Sequence, residues 1–156
     1  MKTKTTPPEF IYVTYINTTP RKLWQALTAT ALIRRYWMGR ENTSTWKRGA
    51  ALESRDPAGE LEWHGRIIES QPPRRLVYSF RIEGADQPES RVTMEIASLK
   101  NDPEHRGRGV RLTVTHAGYA PGSRQLKGIS RGWPAILSSL KSLLETGASL
   151  GLAHVD

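Results

Sequence analysis

The sequence predicts an α+β domain in which a curved antiparallel sheet wraps around one long C-terminal helix. Three observations point there. Hydrophobic residues alternate with period two through the middle of the chain, as a sheet with one buried face requires. After Pro121-Gly122 the period changes to steps of three and four, the mark of a helix with one apolar stripe. Two short helical segments stand between the first strand and the rest. Helices gathered on one side of an antiparallel sheet define the α+β class.

The elements follow in order. Residues 1–8 are polar and read as a tail. Residues 10–16 are β-branched and aromatic, hence a strand. Thr19 is a good N-cap, and Pro20 suits the first helical position, where a missing N–H costs nothing. Leu23, Trp24 and Leu27 then recur at helical spacing. Residues 28–30 interrupt, and a second short helix over 31–36 leads into Trp37-Met38-Gly39. A strand over 52–55 follows the turn at Arg48-Gly49. In 60–69, Leu61, Trp63 and Ile67 share one face and Glu62, His64 and Arg66 the other. Gln71-Pro72-Pro73 breaks the run. Leu76, Tyr78, Phe80 and Ile82 alternate with Val77, Ser79 and Arg81. Val92, Met94 and Ile96 alternate with Thr93 and Glu95. Beyond a polar loop over 100–109, Val110, Leu112, Val114 and His116 alternate with Arg111, Thr113 and Thr115.

The last element carries Leu126, Ile129, Trp133, Ile136, Leu137, Leu140, Leu143 and Leu144 on one stripe. Ser123 is the candidate N-cap and Gly147 the candidate C-cap. Pro134 lies inside the stripe and predicts a kink or a local break, which Gly132 would ease. A helix of about 25 residues is about 37 Å long. A strongly twisted sheet cannot lie flush along it, so a gap lined by side chains can remain.

A chain of 156 residues suits one domain with its own core. It has no cysteine, which removes disulfides, thiolate nucleophiles and Cys-based zinc sites and suits a reducing cytoplasm. No run of about 18 apolar residues exists, so no membrane span is expected. The net charge is +8, but the basic residues are scattered. Only 105–111 is clustered, so a solvated basic surface is the better reading than a nucleic-acid face. No Gly-x-Ser-x-Gly, P-loop or His-Glu-x-x-His motif is present, and no carboxylate pair flanks one cleft. No cofactor or metal is expected.

Three stretches carry a resemblance: Tyr15-Ile16-Asn17-Thr18-Thr19-Pro20 with Leu23 to Thr28, the pair Tyr36-Trp37, and Gly132-Trp133-Pro134-Ala135-Ile136-Leu137 with Leu140-Lys141 and Leu144-Glu145-Thr146-Gly147. Together they resemble the START-like, helix-grip superfamily, also called SRPBCC. Within it they resemble the bacterial-type group named for homology to the activator of a heat-shock chaperone ATPase. The resemblance implies about seven antiparallel strands gripping the helix around a deep cavity. It places the domain at 9–150, with a short tail over 151–156. Superfamily members bind lipids, sterols, polyketides and other apolar molecules, and some catalyse cyclisations or hydrolyses. Chaperone activation belongs to longer eukaryotic relatives with an extra N-terminal domain, which this sequence reads as lacking, so it is not carried over.

Inward strand positions and the helix stripe nominate ligand-binding residues: Trp37, Met38, Trp46, Trp63, Tyr78, Phe80, Met94, His116, Trp133 and Leu137. An apolar pocket with few polar groups is the usual form of a small-molecule site. Each of these residues taken singly is better explained as core, and the set is more persuasive than its members. His116 continues an apolar face, and histidine titrates near neutrality. His64 reads as surface, and His105 and His154 fall in polar segments. Tyr36, Arg40 and Glu53 are candidates for the cavity mouth. The leading expectation is an apolar-ligand carrier, sensor or stress-response protein. One alternative is a cyclase- or hydrolase-type enzyme using His116 and a pocket tyrosine. Another is an interaction module whose basic surface docks an acidic chaperone or regulator. An exposed edge strand would also permit a homodimer.

Overall fold

The computed structural model describes residues 9–85, 88–119 and 124–153, with only the main chain at 125 and 126. Seven strands form one curved antiparallel sheet: β1 (Glu9–Ile16), β2 (Glu41–Thr43), β3 (Ala51–Arg55), β4 (Leu61–Gln71), β5 (Arg75–Ile82), β6 (Ser90–Ser98) and β7 (Val110–Ala117). Their spatial order is β1-β7-β6-β5-β4-β3-β2. Helices α1 (Pro20–Thr28) and α2 (Thr30–Tyr36) follow β1, and α3 (Arg124–Thr146) closes the chain.

Thr19 caps α1 as expected, its hydroxyl accepting from the Lys22 N–H at 3.2 Å, with Pro20 opening the helix. Thr19→Ala should therefore lower stability by about 1 kcal/mol in chemical denaturation. An unchanged midpoint would show the cap to be replaceable by water. Gly147 ends α3 with φ +85 and donates to the Leu143 carbonyl at 2.9 Å, a left-handed C-cap.

Period-two alternation holds best in β7, where Val110, Leu112, Val114 and His116 are all buried. These side chains join those of Leu76, Tyr78, Val92, Met94 and Ile96 in one core. Leu23 and Leu27 of α1, Ile33 of α2, and Trp133, Leu137 and Leu140 of α3 complete it. At Gly65 the packing is tight enough to exclude any side chain. A Cβ there would stand 1.7 Å from the Ser79 carbonyl oxygen. Ser79, at that approach, is buried.

Three features differ from the sequence reading. Strand β2 was not predicted; its three residues, Glu-Asn-Thr, carry no apolar pattern, and pairing with β3 holds them extended. Helix α3 continues through Pro134 without the local break that was one of the two expectations there, because packing of its stripe holds the helix where local propensity would interrupt it. The 105–111 stretch is not wholly solvated. Asp102, buried beside it, accepts from the N–H groups of Glu104 (3.0 Å) and His105 (2.8 Å) and pairs with Arg111. The His105 N–H, the Glu104 N–H and the Arg111 guanidinium hold the Asp102 carboxyl down at about 2. The predicted cap Ser123, the 1–8 tail and His154 lie outside the described residues, as does the Leu126 side chain.

At the far end of α3, Lys141 and Glu145 pair at 2.8 Å and reach across to β1. The Lys141 ammonium donates to the Tyr15 carbonyl at 2.5 Å, and Glu145 accepts from the Asn17 N–H at 2.8 Å. This ties one end of the exposed sheet edge to the helix.

Candidate functional site: an aromatic cavity between sheet and helix

The concave sheet and α3 leave a cavity of about 500 Å³. One wall begins where α2 ends. The Trp37 N–H closes the last turn on the Ile33 carbonyl at 2.9 Å. Met38 and Gly39 then adopt φ +51 and +74, and the chain reverses. A left-handed methionine is strained, so something must hold it. Arg40 does so. Its guanidinium donates to the Met38 carbonyl at 3.1 Å and to both carboxylate oxygens of Glu62 at 2.8 and 2.9 Å. The reversal delivers Trp37, Met38 and Arg40 to the cavity.

Glu62 was expected on the outer polar face. It lines the cavity instead, because it sits in a β-bulge. Ser54 pairs with Trp63 and Arg55 with Leu61, so Glu62 has no partner of its own. A bulge breaks strict alternation and re-aims side chains.

The other walls come from β4 (Trp63), β5 (Phe80, Ile82), β7 (His116) and α3 (Ile129, Trp133, Ile136). Five of the lining rings form a closed circuit. Trp37 and Trp63 stand 6.1 Å apart, Trp63 and Phe80 4.6 Å, Phe80 and His116 5.0 Å, His116 and Trp133 6.2 Å, and Trp133 and Trp37 5.3 Å. All five contacts are tilted or edge-to-face, the arrangement ring quadrupoles favour.

His116 is 1% exposed, and both of its ring nitrogens are engaged. The Trp133 indole N–H, which can only donate, lies 3.1 Å from Nδ1. Nδ1 must therefore accept, and Nε2 carries the proton. Nε2 donates to the Ser90 hydroxyl at 2.8 Å, and that hydroxyl donates to the Phe80 carbonyl at 3.1 Å. The chain Trp133, His116, Ser90, Phe80 is fully satisfied with a neutral imidazole. Burial pushes the His116 pKa down to about 4. At neutral pH the ring offers neither a free lone pair nor a transferable proton unless this chain opens.

Of the ten residues nominated from sequence, Trp37, Met38, Trp63, Phe80, His116 and Trp133 meet around this cavity. Trp46, Tyr78 and Met94 line a separate void of about 10 Å³ under α1 and α2, where the buried Asn42 Oδ1 lacks a hydrogen-bond partner. Leu137 is buried in the core. Of the candidate mouth residues, Arg40 reaches the cavity. Tyr36 is buried, with its hydroxyl on the Ala26 carbonyl at 2.7 Å. Glu53 pairs with Arg55 at the surface. Sequence reasoning missed Glu62 and the α3 positions Arg124, Gly128 and Gly132, all of which line the cavity. Two glycines four apart on the apolar side of a long helix were the available signal for the last two. Among the described residues, no group of three or more acidic or histidine side chains is placed to hold a metal ion.

The architecture and the sequence lead to the same place. The family model described as "Activator of Hsp90 ATPase homolog 1-like protein" matches residues 17–145. This chain belongs to that family. Several solved structures share its fold. Protein MLL2253 from Mesorhizobium loti is 24% identical with a TM-score of 0.74, covering 88% of this chain and 96% of its own. CalU16 from Micromonospora echinospora is 23% identical with a TM-score of 0.70, covering 91% and 77%. The Aha1 dimer from Colwellia psychrerythraea is 16% identical with a TM-score of 0.73, covering 90% and 98%. No curated protein matches the sequence. At these identities the likeness to the solved structures is one of fold.

Proposed function

We propose that this chain binds a small apolar molecule in the cavity between the sheet and α3, as a cytoplasmic carrier or sensor. The observation that carries this reading is the contiguous cluster of five aromatic rings lining about 500 Å³ of space. That volume lies within the range of about 300–1,000 Å³ usual for small-molecule sites. The neutral, fully bonded His116 supports binding over acid–base catalysis, since the imidazole is occupied in holding the walls together.

Native mass spectrometry of protein purified from its own cells tests the reading. The expected result is a population heavier than the apo chain by the mass of one small molecule. Adding that molecule back should stabilise the fold by about 2.7 kcal/mol at a hundredfold excess over Kd. A bare mass, with no stabilisation by any apolar compound tried, would count against it.

A second reading concerns assembly. Ile11, Val13 and Tyr15 are 54%, 45% and 40% exposed on the edge strand β1, and β1 carries no charge between Glu9 and its end. Exposed uncharged edges invite pairing with another strand. A structure sharing this fold was solved as a dimer. We infer that two copies associate through this edge. Sedimentation analysis should give a dimer whose dissociation constant rises at least about tenfold in Val13→Lys, because lysine on an edge strand opposes pairing with another strand. A wild-type protein that sediments as a monomer at all concentrations would refute the association.

A further inference from the structure

We propose that the ligand is a planar aromatic anion. Its rings would lie between a bare face of α3 and the aromatic wall of the sheet, and its acidic group would meet Arg124 at the mouth. This rests on the cavity being a small-molecule site and narrows what that site takes.

The bare face comes from Gly128 and Gly132. Both line the cavity, and they stand four apart on one side of α3. A Cβ built at either position meets nothing within 4 Å. Glycine inside a helix is unfavourable relative to alanine, and no crowding by the protein requires it at these positions. What the two glycines preserve is room. On the sheet side the room is bounded by Trp63 and Phe80, whose centroids are 4.6 Å apart. Flat backbone on one side and aromatic rings on the other make a slot, and stacked and edge-on contacts reward a flat guest.

Charge at the rim decides the rest. The Arg40 guanidinium is already satisfied by both oxygens of Glu62. Arg124, the first residue of α3, also lines the cavity and has no acidic partner among the described residues. The first turn of α3 holds no acidic residue either. Among the described residues, the rim therefore carries one positive charge without an acidic partner, while the interior at His116 is neutral. An anionic group is favoured at the mouth and disfavoured inside.

Calorimetric titration near pH 7 with four probes tests this: 2-naphthoate, 2-naphthalenemethanol, decanoate and decanol. The expected order has 2-naphthoate tightest. Arg124→Gln should weaken 2-naphthoate at least about threefold and leave 2-naphthalenemethanol unchanged. Gly132→Leu should abolish binding of both naphthyl probes, with a melting temperature at or above wild type. Gly128→Ala should weaken them without loss of fold, which separates blocking from unfolding. If decanoate binds as tightly as 2-naphthoate, or if Arg124→Gln weakens both naphthyl probes alike, the planar-anion assignment is overturned and the cavity reading stands. If none of the four probes binds the wild type, both fall.

Discussion

Trp133→Ala will remove about 3–5 kcal/mol of unfolding free energy, the range for truncating a large buried aromatic. The ring is 4% exposed. It touches Trp37 edge-on at 5.3 Å and lies 6.2 Å from His116. Its N–H is the donor that satisfies His116 Nδ1. Alanine therefore does two things: it opens the helix side of the cavity and leaves a buried acceptor unpaired. Trp133→Phe separates them. It keeps part of the ring contact and loses the hydrogen bond, so its cost should be smaller, about 1–3 kcal/mol. Urea denaturation followed by circular dichroism measures both. An alanine variant with the wild-type midpoint would mean that Trp133 is not packed as described.

The second large effect is acid sensitivity. Unfolded, His116 titrates near 6.5; folded, burial holds it near 4. Between those values the unfolded chain binds a proton that the native chain refuses, so stability is full above about pH 6.5 and falls as pH drops toward 4. The slope reaches at most about 1.4 kcal/mol per pH unit, and the loss over the window is about 3 kcal/mol. Protonation would also set an Nδ1–H against the Trp133 N–H, two donors facing each other. His116→Gln does not titrate and should flatten stability across this window, whatever its stability at neutral pH. Asp102 acts in a separate window. Its carboxyl, held down near 2, gives up its contribution only as pH falls from about 3.8 toward 2. If the glutamine variant kept the full loss between pH 6.5 and 4, the assignment to His116 would be wrong.

The fold was legible because its signals are periodic. Val110, Leu112, Val114 and His116 declare which face of β7 is inward, and the α3 stripe declares its buried side. Periodicity gives the face but not the depth along it. Tyr78 and Phe80 occupy the same face of β5, yet Tyr78 packs under α1 and α2 while Phe80 reaches the open cavity. The same limit moved Met94 and Leu137 off the main cavity; Trp46 lies in the loop between β2 and β3, where no period applies. Glu62 escaped because a bulge suspends the rule that places alternate residues on opposite faces. Strand β2 escaped because three polar residues carry no pattern. Gly128 and Gly132 escaped because what they contribute is the lack of a side chain, and a hydrophobic repeat cannot register that.

The indoles of Trp37, Trp63 and Trp133 neighbour one another along the circuit. Their electronic transitions must therefore mix. An exciton couplet in the circular dichroism should belong to the native chain, vanish in Trp37→Phe, and change sign or size when a guest chromophore enters. Should the proposed guest bind, the protein would carry its own spectroscopic gauge of occupancy.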